Sequence, residues 1–335
     1  MNRREFFVGA ALLPLAEAAG IEAASASSFP ERPIILSNGY PPGGSTDVAA
    51  RLMADAISSS MNGANVVVEN RAGASGTIAS EWLRRQPNDG HALMLSESSS
   101  FAIWPSMHVA WSRYQPVEDF TWLATVCTSP MVLIVSPNFP AKTLAEALEV
   151  LRSPKSQDLS YSSSGSGSIP HIAAELLRHT LGEGSKSMHV SYRGGAPAVL
   201  SIGKNETAWG VASLGSAAGL IEGGMVRPLA VTSQNRFPQF PDVPTFREMG
   251  VPEMELNIYY LIHAPAGIPA AVAEQLNRAC VAGLAQPALQ KKFLAAGMLA
   301  WEGPNTPDTT RKIVEDELKR FKLIAERTKI KIQGG

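Results

Sequence analysis

One local pattern recurs along this chain and restricts its fold more than any other feature. A short apolar segment runs into a turn rich in glycine and serine, and the turn runs into helical periodicity. Ile34-Ile35-Leu36 leads into Asn38-Gly39-Tyr40-Pro41-Pro42-Gly43-Gly44-Ser45-Thr46-Asp47, with a helix expected over 48–60. Val66-Val67-Val68, wholly β-branched, leads into the glycine-rich stretch 69–76 and a helix over 77–85. A third apolar segment, 92–95, ends in Ser96-Glu97-Ser98-Ser99-Ser100. The pattern returns further on. Ser160-Tyr161-Ser162 precedes Ser163-Ser164-Gly165-Ser166-Gly167-Ser168-Ile169-Pro170-His171 and a helix to about 181, and 188–191 precedes Tyr192-Arg193-Gly194-Gly195-Ala196-Pro197. This rhythm predicts an α/β fold with a parallel sheet and its loops gathered at the carboxyl edge of the strands.

The physics of those turns points to an anion. Gly43 and Gly44 let the backbone come close to a ligand. Ser45 or Thr46 can cap the first helix; Ser168 can cap the helix after 160–162, where Pro170 suits the first turn. The first N–H groups of a helix are unpaired, and the helix dipole adds to their attraction for negative charge. One such turn is an ordinary strand-to-helix connection. Two of them, one in each half of the chain, make a clamp.

Further strands are expected over 208–212, 227–231 and 258–264, and one long strand or a pair over 125–135. A helix over 142–152 has Thr143 as its cap, and three helices, 270–285, 288–296 and 308–327, close the chain. The alternation falls into two halves, so an interrupted organisation is expected. In it, 27–125 and 246–335 form one lobe and 126–245 an inserted second lobe.

Of 335 residues, 45% are hydrophobic and 18% charged, which suits a globular chain of about two domains. The first 26 residues are read as an export signal. Arg3-Arg4 forms a basic head, 8–15 an apolar core too short to span a bilayer, and Ala24-Ser25-Ala26 a cleavage site. The signal is of the twin-arginine type, or a Sec signal that carries two arginines, and places the chain in the periplasm. No cysteine stands directly after the cleavage site, so a lipid anchor is not expected. Cleavage removes Arg3, Arg4, Glu5, Glu17 and Glu22 and leaves a formally neutral chain, which argues against nucleic acid or an anionic membrane as partner. Cys127 and Cys280 are expected as buried free thiols, although a periplasmic disulfide is open to them.

Catalytic signatures are mostly missing. There is no Gly-x-Ser-x-Gly elbow, Cys-x-x-Cys or His-Glu-x-x-His, and Gly203-Lys204 lacks the spacing of a phosphate loop. His171, Glu175 and His179 fall at i, i+4, i+8 on one helix. That face drifts by about 40° per step and offers no fourth ligand, so a solvated face explains them better than a metal. The serines of 160–168 lack a base with an orienting partner; donors to a bound carboxylate explain them more simply. Asp47 either complements the helix start and pairs with Arg51, or organises water at a ligand. Arg71 and Arg193 could face a ligand or pin their loops, and pinning is favoured for Arg71.

Several stretches together resemble the extracytoplasmic solute receptors of tripartite tricarboxylate transporters, often called Bug receptors. They include Pro42-Gly43-Gly44-Ser45-Thr46-Asp47 with Ala50-Arg51, and Val68-Glu69-Asn70-Arg71-Ala72-Gly73-Ala74-Ser75-Gly76. Pro87-Asn88-Asp89-Gly90, Tyr114-Gln115-Pro116-Val117-Glu118-Asp119-Phe120 and Tyr161-Ser162-Ser163-Ser164-Gly165-Ser166-Gly167-Ser168 follow in the family's order. So do Tyr192-Arg193-Gly194-Gly195-Ala196-Pro197-Ala198, Phe240-Pro241-Asp242-Val243-Pro244-Thr245 and Ala264-Pro265-Ala266-Gly267-Ile268-Pro269. The resemblance implies a periplasmic-binding-protein-like fold (type II) of two α/β lobes. A small organic carboxylate would be held in the cleft by backbone N–H groups and hydroxyls. By position, Tyr40, Gly43, Gly44, Ser45, Thr46 and Asp47 would line one side. Ser164, Gly165, Ser166, Gly167 and Ser168 would line the other, with Tyr192 and Gly194 near, and Ser96 is counted among the ligand-binding residues. It also implies membrane transporter subunits as partners, and a monomeric receptor with neither catalysis, cofactor nor metal. Two positions depart from the family's pattern: Thr207 stands where an acid is usual, and Tyr259 or Tyr260 where a tryptophan is usual.

Overall fold

The structure is a computed structural model that describes residues 29–107, 113–182 and 185–328. The export signal expected over 1–26 lies outside the described residues. Each apolar segment of the repeating pattern is a strand, and each periodic stretch a helix. In chain order they are β1 (Ile34–Asn38), α1 (Ser45–Ser60), β2 (Val66–Asn70), α2 (Thr77–Arg84), β3 (Ala92–Glu97), the short α3 (Trp104–Met107) and β4 (Phe120–Val135). There follow α4 (Leu144–Arg152), β5 (Ser160–Ser163), α5 (Ile169–Thr180), β6 (Met188–Ser191), α6 (Gly195–Gly203), β7 (Trp209–Ser213), α7 (Leu214–Glu222) and β8 (Arg227–Val231). The chain then returns through β9 (Asn257–Pro265), α8 (Ala270–Leu284), α9 (Pro287–Ala295), β10 (Leu299–Ala300) and α10 (Pro307–Thr328).

Local chemistry explains the caps. Thr143 accepts from the Glu146 N–H while the Glu146 side chain accepts from the Thr143 N–H, a complete capping box. Ser168 caps α5 through the His171 N–H, with proline in the first turn as expected. Helix α1 differs from expectation. Its N-cap is Gly44, with no side-chain cap bond; Ser45 and Thr46 lie inside the first turn, and the Ser45 hydroxyl meets Ser213 and Tyr260. Helix α7 had no clear signal. Gly215 and Gly219 weaken its helical preference, and its periodicity is faint.

The strands form one mixed sheet, in the order β2-β1-β3-β9-β4-β7-β5-β6, with β8 and β10 also paired to β4. The parallel expectation holds for β1 with β2 and β3, and for β5 with β6 and β7. It does not hold for β4 and β9, which run antiparallel to their neighbours. Residue patterning reports burial, not strand direction.

Strand β4 organises the molecule. It is buried along nearly all of its 16 residues. Phe120 to Pro130 pair with β9, whereas Met131 to Val135 pair with β7 and β8. The sheet therefore has two arms that share β4. The chain goes back from the second arm to the first between β8 and β9. There the Thr232 hydroxyl accepts from the Met131 N–H at 2.8 Å and donates to the Leu256 carbonyl. One apolar cluster runs beneath the first arm and into the second; another, built on Val132, Ile134, Val199, Ile202, Leu214 and Phe237, fills the space under α6 and α7. Helices α1 and α8 pack closely, since a Cβ on Gly283 would sit 2.7 Å from Ala56 Cβ. Cys127 and Cys280 are buried and free. Among the described residues, no helix is long and apolar enough to cross a membrane.

Candidate functional site

Four helix starts converge on one cavity where the two arms face each other. Gly44, Ser45 and Thr46 come from α1, Ile169 and Pro170 from α5, Gly195 from α6, and Ser213 and Ser216 from α7. Tyr40, Glu97, Ser164, Ile258 and Tyr260 complete the lining. In three of these helices, α1, α6 and α7, the N-cap residue makes no side-chain cap bond; the Ser45 and Gly215 N–H groups donate instead to Ser216 Oγ and Ser129 Oγ. Their first N–H groups and dipoles make this an electropositive place built without a cation. Among the described residues, no lysine, arginine or histidine lines it.

The arms touch through hydroxyls. Ser45 is the hub: its N–H donates to Ser216 Oγ at 3.2 Å, its Oγ lies 3.2 Å from Ser213 Oγ, and Tyr260 OH donates to it at 2.8 Å. Ser75 Oγ donates to the Ser166 carbonyl at 2.9 Å, and the Ile169 N–H donates to Ser99 Oγ at 2.8 Å. The cavity has a volume of about 20 Å³. That is little more than one water needs. The donors of the two arms are engaged with one another, so a ligand larger than water enters only if the arms move apart.

Of the residues expected at a ligand, Tyr40, Gly44, Ser45, Thr46 and Ser164 line this cavity; Gly43, Asp47, Ser96, Gly165, Ser166, Gly167, Ser168, Tyr192 and Gly194 do not. Most of the second group shape the walls. Gly43 has φ +89°, Gly165 +141°, Gly167 +76° and Gly194 +117°, values that side chains resist. Ser168 Oγ donates to the Gly165 carbonyl, and the Gly194 and Tyr192 N–H groups donate to the Ser164 and Ser163 carbonyls. Asp47 is buried and accepts from Gly43 N–H, Arg51 and Asn70. Burial would raise its pKa, but those donors outweigh burial and hold it below the usual carboxylate value. Ser96 is buried, with no hydrogen-bond partner for its hydroxyl among the described residues. The pleat turns it away from its neighbour Glu97, which does face the cavity.

Arg71 stacks its guanidinium over Trp82 at 3.8 Å and pairs with Glu69, which pins its loop; Arg193 is exposed. His171, Glu175 and His179 have separate surroundings. His171 stacks on His189 at 4.0 Å and accepts from the Gly167 N–H, Glu175 pairs with Arg178, and His179 lines a different groove. Thr207, at one of the departures from the family pattern, bonds to Ser201 Oγ at 2.8 Å, away from the cavity. Tyr260, at the other, lies in it.

Glu97, Gly195, Ser213, Ser216 and Ile258 also line the cavity and were not expected there. Glu97 is only 4% exposed. It accepts from Tyr40 OH at 2.5 Å, from the Ser99 N–H at 2.8 Å and from Ser99 Oγ at 2.9 Å. Burial raises its pKa, and these donors oppose the rise without cancelling it. Burial and the Glu97 charge push the Tyr40 phenol well up, and burial does the same to Tyr260, so both stay neutral donors.

Comparison with known proteins gives consistent matches. The model of the family described as tripartite tricarboxylate transporter family receptor matches residues 49–330. The protein BugT of Bordetella pertussis is 32% identical over 321 residues, covering 94% of this chain and 95% of its own. Among solved structures, the periplasmic binding protein BugD superposes with a TM-score of 0.86 at 28% identity, over 91% of this chain and 100% of its own. MatC from Rhodopseudomonas palustris, with bound malate, gives 0.83 at 25% identity over 88% and 99%. A second protein of R. palustris, with adipate, gives 0.85 at 29% identity over 90% and 99%. The mixed α/β sheet with its cleft is thus the periplasmic-binding-protein fold.

Proposed function

This chain belongs to the tripartite tricarboxylate transporter receptor family, and on that premise we propose that it captures a small organic carboxylate in the cavity between its arms and delivers it to a membrane transporter. The observation that carries the proposal is the meeting of three helix starts whose N-cap residues make no side-chain cap bond, from both arms, on one cavity lined by hydroxyls. Such a place binds an anion through backbone N–H groups without a cation. The relatives solved with malate and adipate support a carboxylate as that anion.

The two arms act as lobes in this proposal. The division falls within β4 at Pro130–Met131 and in the return segment around Thr232 and Leu256, where the hydrogen-bonded contact of Met131, Thr232 and Leu256 supplies the hinge. The lobes open to admit the ligand and close to isolate it from water. Ser45, Thr46, Gly44 and Tyr40 hold it from the first lobe; Ser164, Gly195, Ser213 and Ser216 hold it from the second. Asp47, Gly165, Gly167 and Ser168 shape the turns that present these groups. The receptor works as an exported periplasmic monomer, and the ligand leaves unchanged, without turnover.

A thermal-shift panel of di-, tri- and aromatic carboxylates and acidic amino acids, on protein verified to be ligand-free, tests this. At least one compound is expected to raise Tm in a concentration-dependent way, and to be recovered intact. No shift with any class overturns the carboxylate assignment.

A further inference from the structure

We propose that Glu97 sets the specificity of the cleft: it selects a carboxylate ligand that also carries a nitrogen donor, amide or ammonium, and turns away a second carboxylate. The proposal rests on the carboxylate-receptor function above and narrows its substrate class.

Among the described residues, Glu97 is the one acidic side chain that lines the cavity, and no cationic side chain lines it. The nearby acid Asp47 is already neutralised by Arg51. Three donors point at the Glu97 carboxylate, and one of them, the Ser99 backbone N–H, can only donate. That set fits an ionised acceptor. A carboxylate has about four acceptor positions. Oε2 takes both Ser99 donors and Oε1 takes only Tyr40 OH, so one position on Oε1 remains for a ligand N–H.

The opposite sign of charge lies close by. Ser99 Oγ donates to Glu97 and accepts from the Ile169 N–H at the start of α5. The Glu97 carboxylate and the α5 terminus are therefore two hydrogen bonds apart. The starts of α1, α6 and α7 line the same cavity, so an acceptor for a donor group shares the site with donors for an anion, which is the arrangement a short amino or amido acid requires. A dicarboxylate of the same shape would place its second negative charge against Glu97 in a site that holds no cation to offset it.

Isosteric pairs read this directly: succinate against succinamate, adipate against adipamate, and terephthalate against 4-carbamoylbenzoate, with γ-aminobutyrate and aspartate added. Calorimetry at pH 7.5 is expected to show, in at least one pair, the amide bound about tenfold or more tighter than its diacid. In the Glu97→Gln variant that preference is expected to vanish or reverse, because the new amide donates to the diacid. Wild-type selectivity is informative by itself, should the variant fail to fold. Diacids that bind the wild type as tightly as their amides overturn this proposal and leave the receptor function standing. An unchanged preference in the folded variant overturns it as well. Failure of every diacid, amide and amino acid overturns both.

Discussion

The Asp47 carboxylate accepts from Gly43 N–H at 3.1 Å, from Arg51 through two nitrogens at 3.0 Å each and from Asn70 at 2.8 Å. All of these donors belong to the chain. Asn70 also donates to the Tyr40 carbonyl, so one carboxylate ties both ends of the Pro41–Gly44 turn to the end of β2. Asp47→Ala leaves the part-buried Gly43 N–H without its acceptor, takes one of the acceptors from the Asn70 amide and leaves Arg51 without its carboxylate. It is expected to lower unfolding stability by about 2 kcal/mol in urea titrations at pH 7; a loss under about 0.5 kcal/mol would show that the carboxylate does not hold the turn. The folded-state pKa is depressed, so this contribution is present above the ordinary value of about 3.9 and is lost as pH falls through the lower folded value.

At the scale of elements, the cleft depends on loops that approach without side chains between them. A Cβ on Gly39 would lie 2.3 Å from Gly76 Cα. Gly39 follows β1 and Gly76 precedes α2, and their contact sets the neighbouring Tyr40 under the cavity. The obstacle is backbone, so no rotamer change relieves it. Gly39→Ala is expected to cost about 2 kcal/mol or more of stability, and to weaken carboxylate binding by displacing Tyr40. Wild-type stability and binding in that variant would show that the loops part freely. These turns were legible as glycine-rich connections, because glycine and serine mark them in composition. Which glycine meets which was not legible, since Gly39 and Gly76 are far apart in sequence. Helix α7 escaped for another reason: Leu214, Ala217, Ala218, Leu220 and Ile221 make it apolar nearly all round, so no amphipathic stripe announces it.

Across the whole molecule, burial of ionisable groups in the shared core should govern the acid limit. His263 lies on β9, between the rings of Trp122 at 4.4 Å and Phe120 at 4.7 Å, and neither ring nitrogen has a hydrogen-bond partner among the described residues. Burial pushes its pKa down to about 3. The unfolded chain takes up a proton near pH 6.5 that the folded chain refuses. Stability therefore falls as pH drops below about 6.5, by about 1.4 kcal/mol per unit for this group. His263→Phe keeps the ring and removes the titration. Between pH 7 and pH 5 the wild type is expected to lose about 2 kcal/mol more than this variant in urea unfolding; parallel losses would show that His263 is not the group responsible.

The residue order alone determined the alternation of strands and helices, the caps at Thr143 and Ser168, the buried thiols and the glycine- and serine-rich turns at 38–47 and 163–171. Each of these is written in neighbouring residues, through β-branching, periodicity and short polar side chains that bond to their own backbone. Only the tertiary structure decided that β4 and β9 run against their neighbours, that β4 serves both arms, and that Ser213, Ser216 and Tyr260 meet Ser45. It also decided that Glu97 rather than Ser96 faces the cavity. These outcomes follow from pairing between distant segments, where one step along a pleated strand exchanges the face that a side chain occupies.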